Sequence, residues 1–120
     1  MSALDRRVVA ELAAFYRKHL LVDVMPFWEA RTRDTECGGY ITCFDRYGNV
    51  TDTDKYVWFQ GRQLWMFSAL FNRVERRPEW LDLARHGKEF IVRYAYAGDG
   101  RWTYRLDRAG RPKVGRVSIY

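Results

Sequence analysis

The segment YITCFDRYG at residues 40–48 recurs in pattern as WTYRLDRAG at residues 102–110. Each copy has an aromatic residue, an apolar residue four positions later, and then Asp-Arg-x-Gly. Alternating side chains that lead into an Asp–Gly turn are typical of a β-hairpin. An amphipathic helix is predicted before each copy, so the repeating unit is a helix, a short hairpin and a helix. Such units bury their apolar faces by stacking on neighbours. The alternative is a coincidence of turn chemistry, because Asp and Gly recur in unrelated turns.

The helices of these units are bounded by capping residues, proline and glycine. The first helix is predicted at about residues 4–24, opened by the Ser2-x-x-Asp5 capping box and ended by Pro26. Because proline lacks a backbone N–H, it is expected to break the helical run at that point.

Two further helices follow the first hairpin. The second is predicted at roughly residues 54–75, with Thr53 or Asp54 as its N-cap. The third opens near Pro78, because proline suits the first helical position, and Gly98 is its expected stop. The second copy of this repeat has its helix and its hairpin but no helix after the hairpin. We therefore expect these 120 residues to be the N-terminal part of a longer protein.

Composition limits the class of protein. Hydrophobic residues make up 48% of the chain and aromatic residues 17%, which predicts a packed core. The formal net charge of +6 is scattered rather than gathered into a block, which favours a solvated basic surface over a nucleic-acid partner. No apolar run reaches the ~18 residues of a membrane helix, and no secretory signal is visible. We expect a cytoplasmic protein with no membrane partner.

Candidate metal-ligating and catalytic residues are few. Cys37 and Cys43 match no zinc spacing, so two free thiols are expected, and no metal or cofactor is predicted. His19 lies on the apolar side of the first helix and is expected to be a hydrogen-bonded core residue. His86 lies on the polar side of the third helix and is expected to face solvent. Neither histidine has a nucleophile nearby in the sequence.

The segment KYVWFQGRQLWMF at residues 55–67 carries a charge among aromatic residues. At 100° per helical residue, Trp58, Arg62 and Trp65 fall in one narrow wedge, with Lys55 close to it one turn earlier. One interpretation is a guanidinium stacked on tryptophan for structural reasons. The other is a pocket, because indole rings offer flat surfaces to the C–H faces of a sugar and arginine offers fixed donors to its oxygens. Geometry alone leaves both open.

Several of these motifs together resemble the N-terminal region of the N-acylglucosamine 2-epimerase family, also known as renin-binding protein. The resemblance extends from about residue 27 to residue 117. It is carried by Phe27-Trp28, Gly38-Gly39-Tyr40, Asp45 with Gly48, and Lys55-x-x-Trp58-x-Gln60-x-Arg62-x-x-Trp65.

The resemblance implies an all-α fold, an (α/α)6 barrel with short β-hairpins between its helices. Residues 1–120 would form the N-terminal portion of this single domain, and the second helix would be an inner helix with Arg62 facing the central pocket. It also implies epimerisation at C2 of N-acetylglucosamine and N-acetylmannosamine, by proton abstraction through an enediolate. A small-molecule sugar is the expected partner, and a homodimer is one assembly open to the full-length protein.

The resemblance also implies residue roles. Arg62 would be catalytic, because it stays protonated and can clamp the oxygens at which negative charge develops. The expected substrate-binding residues are Trp58, Lys55, Tyr40, Gln60 and Trp65. The family's proton-transfer histidines lie on later inner helices, and neither His19 nor His86 matches them. The 120 residues alone are therefore expected to be inactive.

Other functions stay open on the sequence alone. An aldose–ketose isomerase acting on mannose and a cellobiose 2-epimerase use the same chemistry, although Gly61 beside Arg62 favours the acylglucosamine branch. A non-catalytic interaction module is the alternative of a different class. A product assay for ketose against epimer would separate the enzymatic alternatives.

Overall fold

A computed structural model of the protein describes residues 2–118, with side chains described as far as Lys113. The residues up to Arg31 form one compact unit, and those from Thr32 onward form a second. Helices dominate both units. Within residues 2–118, no helix is both long and apolar enough to cross a membrane.

The first unit is one long helical run with a change of hydrogen-bonding register. Helix α1 spans Ala3–Lys18, a π-helical turn spans His19–Val24, and helix α2 spans Met25–Arg31. The predicted capping box is confirmed, because the Ser2 hydroxyl accepts the Asp5 N–H while the Asp5 carboxylate accepts the Ser2 N–H.

Two predictions for this unit were wrong. Pro26 does not end the helix but lies inside α2. The π-helical turn immediately before it shifts the backbone bonding, with the Met25 N–H donating to the Leu20 carbonyl, and such a shift accommodates a residue that lacks an N–H. His19 is exposed rather than part of a core, and its Nδ1 lies 2.8 Å from an Asp23 carboxylate oxygen.

The second unit begins with the predicted hairpin, shorter than the alternation suggested. Its elements, in chain order, are β1 (Cys43–Phe44), β2 (Val50–Asp52), β3 (Lys55–Tyr56), α3 (Val57–Arg73), α4 (Pro78–Phe90), a π-helical turn (Ile91–Ala95), β4 (Tyr96–Gly98), β5 (Arg101–Leu106) and β6 (Pro112–Ser118). Strands β1 and β2 pair as an antiparallel two-stranded sheet.

The two copies of the repeated motif adopt the same turn. In the first copy the Asp45 N–H donates to the Asn49 carbonyl, and the Gly48 N–H donates to the Asp45 carbonyl. In the second copy Asp107, Arg111 and Gly110 make the equivalent bonds. Both glycines have positive φ, 86° at Gly48 and 96° at Gly110, which side chains other than glycine adopt at a cost. The repeat in the sequence is therefore also a repeat in the structure.

The second hairpin belongs to a four-stranded sheet, which is more β structure than the all-α expectation allowed. Strand β5 is central, with β6 along one edge and β4 and β3 end to end along the other. The alternation in the second copy does not place Trp102, Tyr104 and Leu106 on one face, because Thr103 and Leu106 are buried while Tyr104 is exposed. A register shift between Arg105 and Leu106 breaks the alternation.

The core of this unit lies between the end of α4 and the sheet. Its buried members are Phe90, Ile91, Ala95 and Leu106, and the partly buried Val57, Leu64, Tyr94 and Trp102 pack against them. The core thus joins the start of α3 to β5, which fixes where α3 begins.

The ends of the helices depart from prediction at two places. Thr53 and Asp54 do not cap α3, because β3 intervenes and Tyr56 is an N-cap without a side-chain bond. Asp54 instead accepts from Arg105 and Lys113 at 2.8 and 2.9 Å. The π-helical turn after Phe90 ends at Ala95, and the chain then enters β4. The helix therefore ends before Gly98, which was expected to end it. Pro78 is the first residue of α4, as predicted.

Candidate functional site

The first turns of α3 expose a face of aromatic and cationic side chains. The face comprises Trp58, Phe59, Arg62 and Trp65, and we call it the α3 aromatic face. The Arg62 guanidinium carbon lies 5.2 Å from the centroid of the Trp58 ring, and Trp58 stacks on Phe59 with centroids 3.7 Å apart. Trp58 is 47% exposed and Trp65 66%. Because the rings and the guanidinium are accessible, this face offers both flat apolar surfaces and charged donors to a ligand.

The lysine predicted beside this face is directed into the protein instead. Lys55 lies in β3, ahead of α3, so the helical angle that placed it near Trp58 does not apply. Its side chain is fully buried, and its Nζ donates to an Asp34 carboxylate oxygen at 2.8 Å and to the carbonyls of Gly38 and Arg108 at 2.6 and 2.7 Å. An ammonium group has three donors, and all three are used within the protein.

Asp34 is the centre of this buried cluster. Besides Lys55, it accepts from Arg108 at 3.0 Å to each carboxylate oxygen, and from the backbone N–H groups of Glu36 and Cys37. Burial alone would raise the pKa of Asp34, but the hydrogen bonds from Arg108 and Lys55 outweigh it and hold the pKa far below its usual range. Asp34 is therefore an ionised anchor for the loop that follows α2.

Gln60 and Tyr40 form a second buried connection beneath the face. The Gln60 amide accepts the Tyr40 N–H at 2.9 Å and donates to the Tyr40 carbonyl at 2.8 Å. The Tyr40 hydroxyl donates to the Leu83 carbonyl at 2.7 Å, and burial raises the pKa of this phenol well above its ordinary value. The Tyr40 side chain lies against Gly87, where an added Cβ would come within 2.1 Å of the hydroxyl oxygen.

These contacts change the assignment of three predicted substrate-binding residues. Lys55, Tyr40 and Gln60 are each fully buried, and their polar groups are bonded within the described part of the chain. They support the site rather than face a ligand. Trp58, Arg62 and Trp65 are the predicted residues that the structure brings together on an accessible surface.

His86 also differs from its predicted position. It is half-buried, with Nε2 2.8 Å from the Gly39 carbonyl and its ring centroid 6.3 Å from that of Tyr40. Because a carbonyl only accepts, Nε2 carries the proton in this contact. The expectation that His86 faces solvent was wrong, and its ring helps to hold the Gly38-Gly39-Tyr40 segment.

The contact between Asp34 and Arg108 could not be predicted from the sequence. They are 74 residues apart, and each lies in a turn segment where Asp and Arg are ordinary. The one local signal was the Asp34-x-x-Cys37 turn, in which an Asp side chain accepts backbone N–H groups that follow it. Cys37 and Cys43 are both free, half-buried thiols.

The fold is similar to that of solved sugar epimerases over about a quarter of their length. The structure of cellobiose 2-epimerase from Bacillus thermoamylovorans matches 87% of this chain with a TM-score of 0.77 and 28% identity, and the match covers 27% of that protein. The N-acylglucosamine 2-epimerases of Mus musculus and Bos taurus are 48% and 46% identical over 99 residues, which is 78% of this chain and 24% of each relative.

The family model of N-acylglucosamine 2-epimerase (GlcNAc 2-epimerase) matches residues 39–120. The chain belongs to the N-acylglucosamine 2-epimerase family, so the resemblance carried by its motifs is confirmed. It spans about a quarter of the length of the curated relatives that it matches.

Proposed function

We propose that this chain is part of an enzyme that epimerises N-acylglucosamine and N-acylmannosamine at C2. The observation that carries the proposal is the α3 aromatic face, where Arg62 lies over Trp58 on an accessible surface of a chain 48% identical to a curated N-acylglucosamine 2-epimerase. The surrounding fold is proposed to be an (α/α)6 ring, to which the two helix–hairpin units described here would contribute one segment.

Arg62 is proposed to stabilise the charge that develops during proton abstraction. In the open-chain sugar, the C2 proton is acidic because it is α to the C1 aldehyde. Its removal places negative charge on the C1 oxygen. In an N-acyl sugar C2 carries nitrogen, so the intermediate is an enolate, and the enediolate form applies to sugars with a hydroxyl at C2. A guanidinium with fixed N–H donors stabilises either anion without itself exchanging a proton.

The aromatic rings have a separate role in this proposal. Trp58 and Trp65 would receive the C–H faces of the sugar and hold it beside Arg62. The buried layer beneath them fixes the start of α3, since Lys55 ties β3 to Asp34 and to Arg108. Holding the reacting carbon at a fixed distance and angle from the guanidinium would accelerate the reaction more than substrate binding without this orientation.

The proton-transfer groups are proposed to lie outside these 120 residues. Within the described chain, the His86 Nε2 proton is directed to the Gly39 carbonyl, and His19 is paired with Asp23. We therefore expect the 120-residue chain alone to exchange no deuterium into a sugar.

The test follows C2 exchange in the complete natural polypeptide that carries this sequence. N-acetylmannosamine is incubated in D2O, and deuterium at C2 and the formation of N-acetylglucosamine are followed by NMR. Arg62→Ala should lower kcat/KM about 10²–10³-fold, the usual loss for one donor to a developing oxyanion. Arg62→Lys should restore part of it, because the charge is kept while the planar donor geometry is lost.

The matched control is Arg85→Ala, which removes an exposed arginine from α4. It should leave kcat/KM within twofold of wild type. An Arg62→Ala variant as active as that control would refute the role of Arg62, and a ketose product would place the enzyme among the aldose–ketose isomerases instead.

A further inference from the structure

Gly61 occupies an unusual position in α3. It lies inside the helix and is exposed, and a Cβ added there would meet no atom within 4 Å. Its φ is not positive, so its backbone conformation does not require glycine. Glycine in a helix interior is less stable than alanine, because it loses more conformational freedom on folding. No contact within the described residues accounts for that cost.

The other glycines near the site contrast with it. At Gly87 an added Cβ would come within 2.1 Å of the Tyr40 hydroxyl oxygen, and at Gly39 within 2.8 Å of the Phe90 ring. Those two positions need glycine because the folded chain already fills the space. At Gly61 the space is open.

Gly61 also has a defined place on the α3 aromatic face. On the helix, Trp58 and Trp65 lie nearly in line along the axis, with their Cα atoms about 10 Å apart. Between them, Arg62 lies to one side of this line and Gly61 to the other. Arg62 extends over the Trp58 ring, which leaves the surface over Gly61 uncovered by its side chain. The Trp58 ring stacks on Phe59, on the same side as Arg62. The bare backbone at Gly61 and the Trp65 indole on the next turn therefore outline a shallow recess.

We infer that this recess receives the N-acyl group on C2 of the sugar, with Gly61 as the residue that makes room for it. The inference rests on the proposed function. With Arg62 donating to the C1 oxygen, the substituent on the adjacent carbon C2 would lie against the helix surface next to Arg62, where Gly61 leaves open space. The acyl methyl is apolar and suits the adjacent Trp65 indole, whereas a side chain at position 61 would occupy its space.

The test uses Gly61→Ala in the complete natural polypeptide, with two measurements. The melting temperature should stay the same or rise, because alanine favours the helix and meets no atom. The kcat/KM for N-acetylmannosamine should nevertheless fall about tenfold or more, the usual effect of one misplaced methyl group in a fitted pocket. N-Propanoylmannosamine, with one more methylene, should lose more than the N-acetyl sugar.

The matched control is Asn72→Ala, an exposed position near the other end of α3. It should match the gain in melting temperature and leave both kcat/KM values within twofold of wild type.

Each other outcome is decisive. A lower melting temperature for Gly61→Ala would mean that Gly61 packs closely against another segment, and it would overturn the inference. Unchanged turnover, or equal losses for the two acyl sugars, would overturn it while the proposed function stands. A wild-type protein that leaves N-acetylmannosamine unchanged would overturn the proposed function, and the inference with it.

Discussion

Replacing Lys55 with methionine removes the cation at the centre of the buried cluster while keeping most of the side-chain volume. In the native protein the Lys55 Nζ donates to Asp34 and to the carbonyls of Gly38 and Arg108, and the side chain has no exposed surface. In Lys55→Met both carbonyls lose this donor, and the Asp34 carboxylate loses one of its two cations.

The size of the effect follows from what remains. Removing one partner of a buried ion pair costs about 3–5 kcal/mol, because the other charge stays buried without compensation. Here Asp34 keeps two hydrogen bonds from Arg108 and two from backbone N–H groups. We therefore expect the lower end of that range, a loss of about 3 kcal/mol in the free energy of unfolding.

The assay is urea-induced unfolding followed by tryptophan fluorescence, with the free energy extrapolated to water. Lys88→Met is the matched control, since Lys88 is exposed on α4 and the same substitution should change stability by less than ~0.5 kcal/mol. A loss below about 1 kcal/mol in the free energy of unfolding for Lys55→Met would refute the claim that the Lys55 bonds stabilise the contact between β3 and the second hairpin.

The pH dependence of stability should depend on Asp34. Its pKa is lowered in the folded protein, so its contribution is complete above the unfolded value of about 4 and is lost as the pH falls below it. The fall in unfolding free energy between pH 5 and pH 2 should therefore be shallower in Asp34→Asn than in wild type, and parallel curves would contradict this prediction. Separately, Gly87→Ala should destabilise the protein by about 1–3 kcal/mol, because its Cβ would lie 2.1–2.3 Å from atoms of the Tyr40 side chain. A melting temperature equal to that of wild type would show that the ring has room to move.

Gly61→Ala is the natural control for Gly87→Ala. Both place the same methyl group on a helix, one in open space and one against an aromatic ring. The opposite signs expected for their effects on melting temperature separate local packing from helix propensity.

The sequence allowed the repeated turns and the α3 aromatic face to be predicted, because both depend on short-range spacing. Asp, Arg and Gly at fixed offsets specify a turn wherever they occur, and the 100° rotation per residue places Trp58 and Arg62 on one side of any helix that contains them. The capping box at Ser2 was predictable for the same reason.

The roles of Lys55 and Asp54 could not be predicted in this way. A helix assumed to begin at residue 54 places Lys55 beside Trp58, but pairing with β5 draws Lys55 and Tyr56 into a strand. The partner strand lies about 50 residues later in the chain, and no local sequence pattern predicts that the two strands pair. Strand pairing therefore outweighed the helical pattern at Lys55, and this pairing determines the direction of the lysine side chain.

The cluster around Asp34 also bears on how the chain folds as it is synthesised. Its bonds to Arg108 join residues 53 and 74 positions apart, so they close only after a long loop has been brought together, whereas the bond between Lys55 and Asp34 joins residues 21 positions apart. Helix α3 can form locally as soon as it leaves the ribosome, but the anchor that sets its starting point is complete only when Arg108 has emerged. Until then Lys55 and Asp34 lack their bonds to Arg108. The order of synthesis thus places the assembly of this connection after the helices it joins, and contacts of such long range are the slow ones in folding.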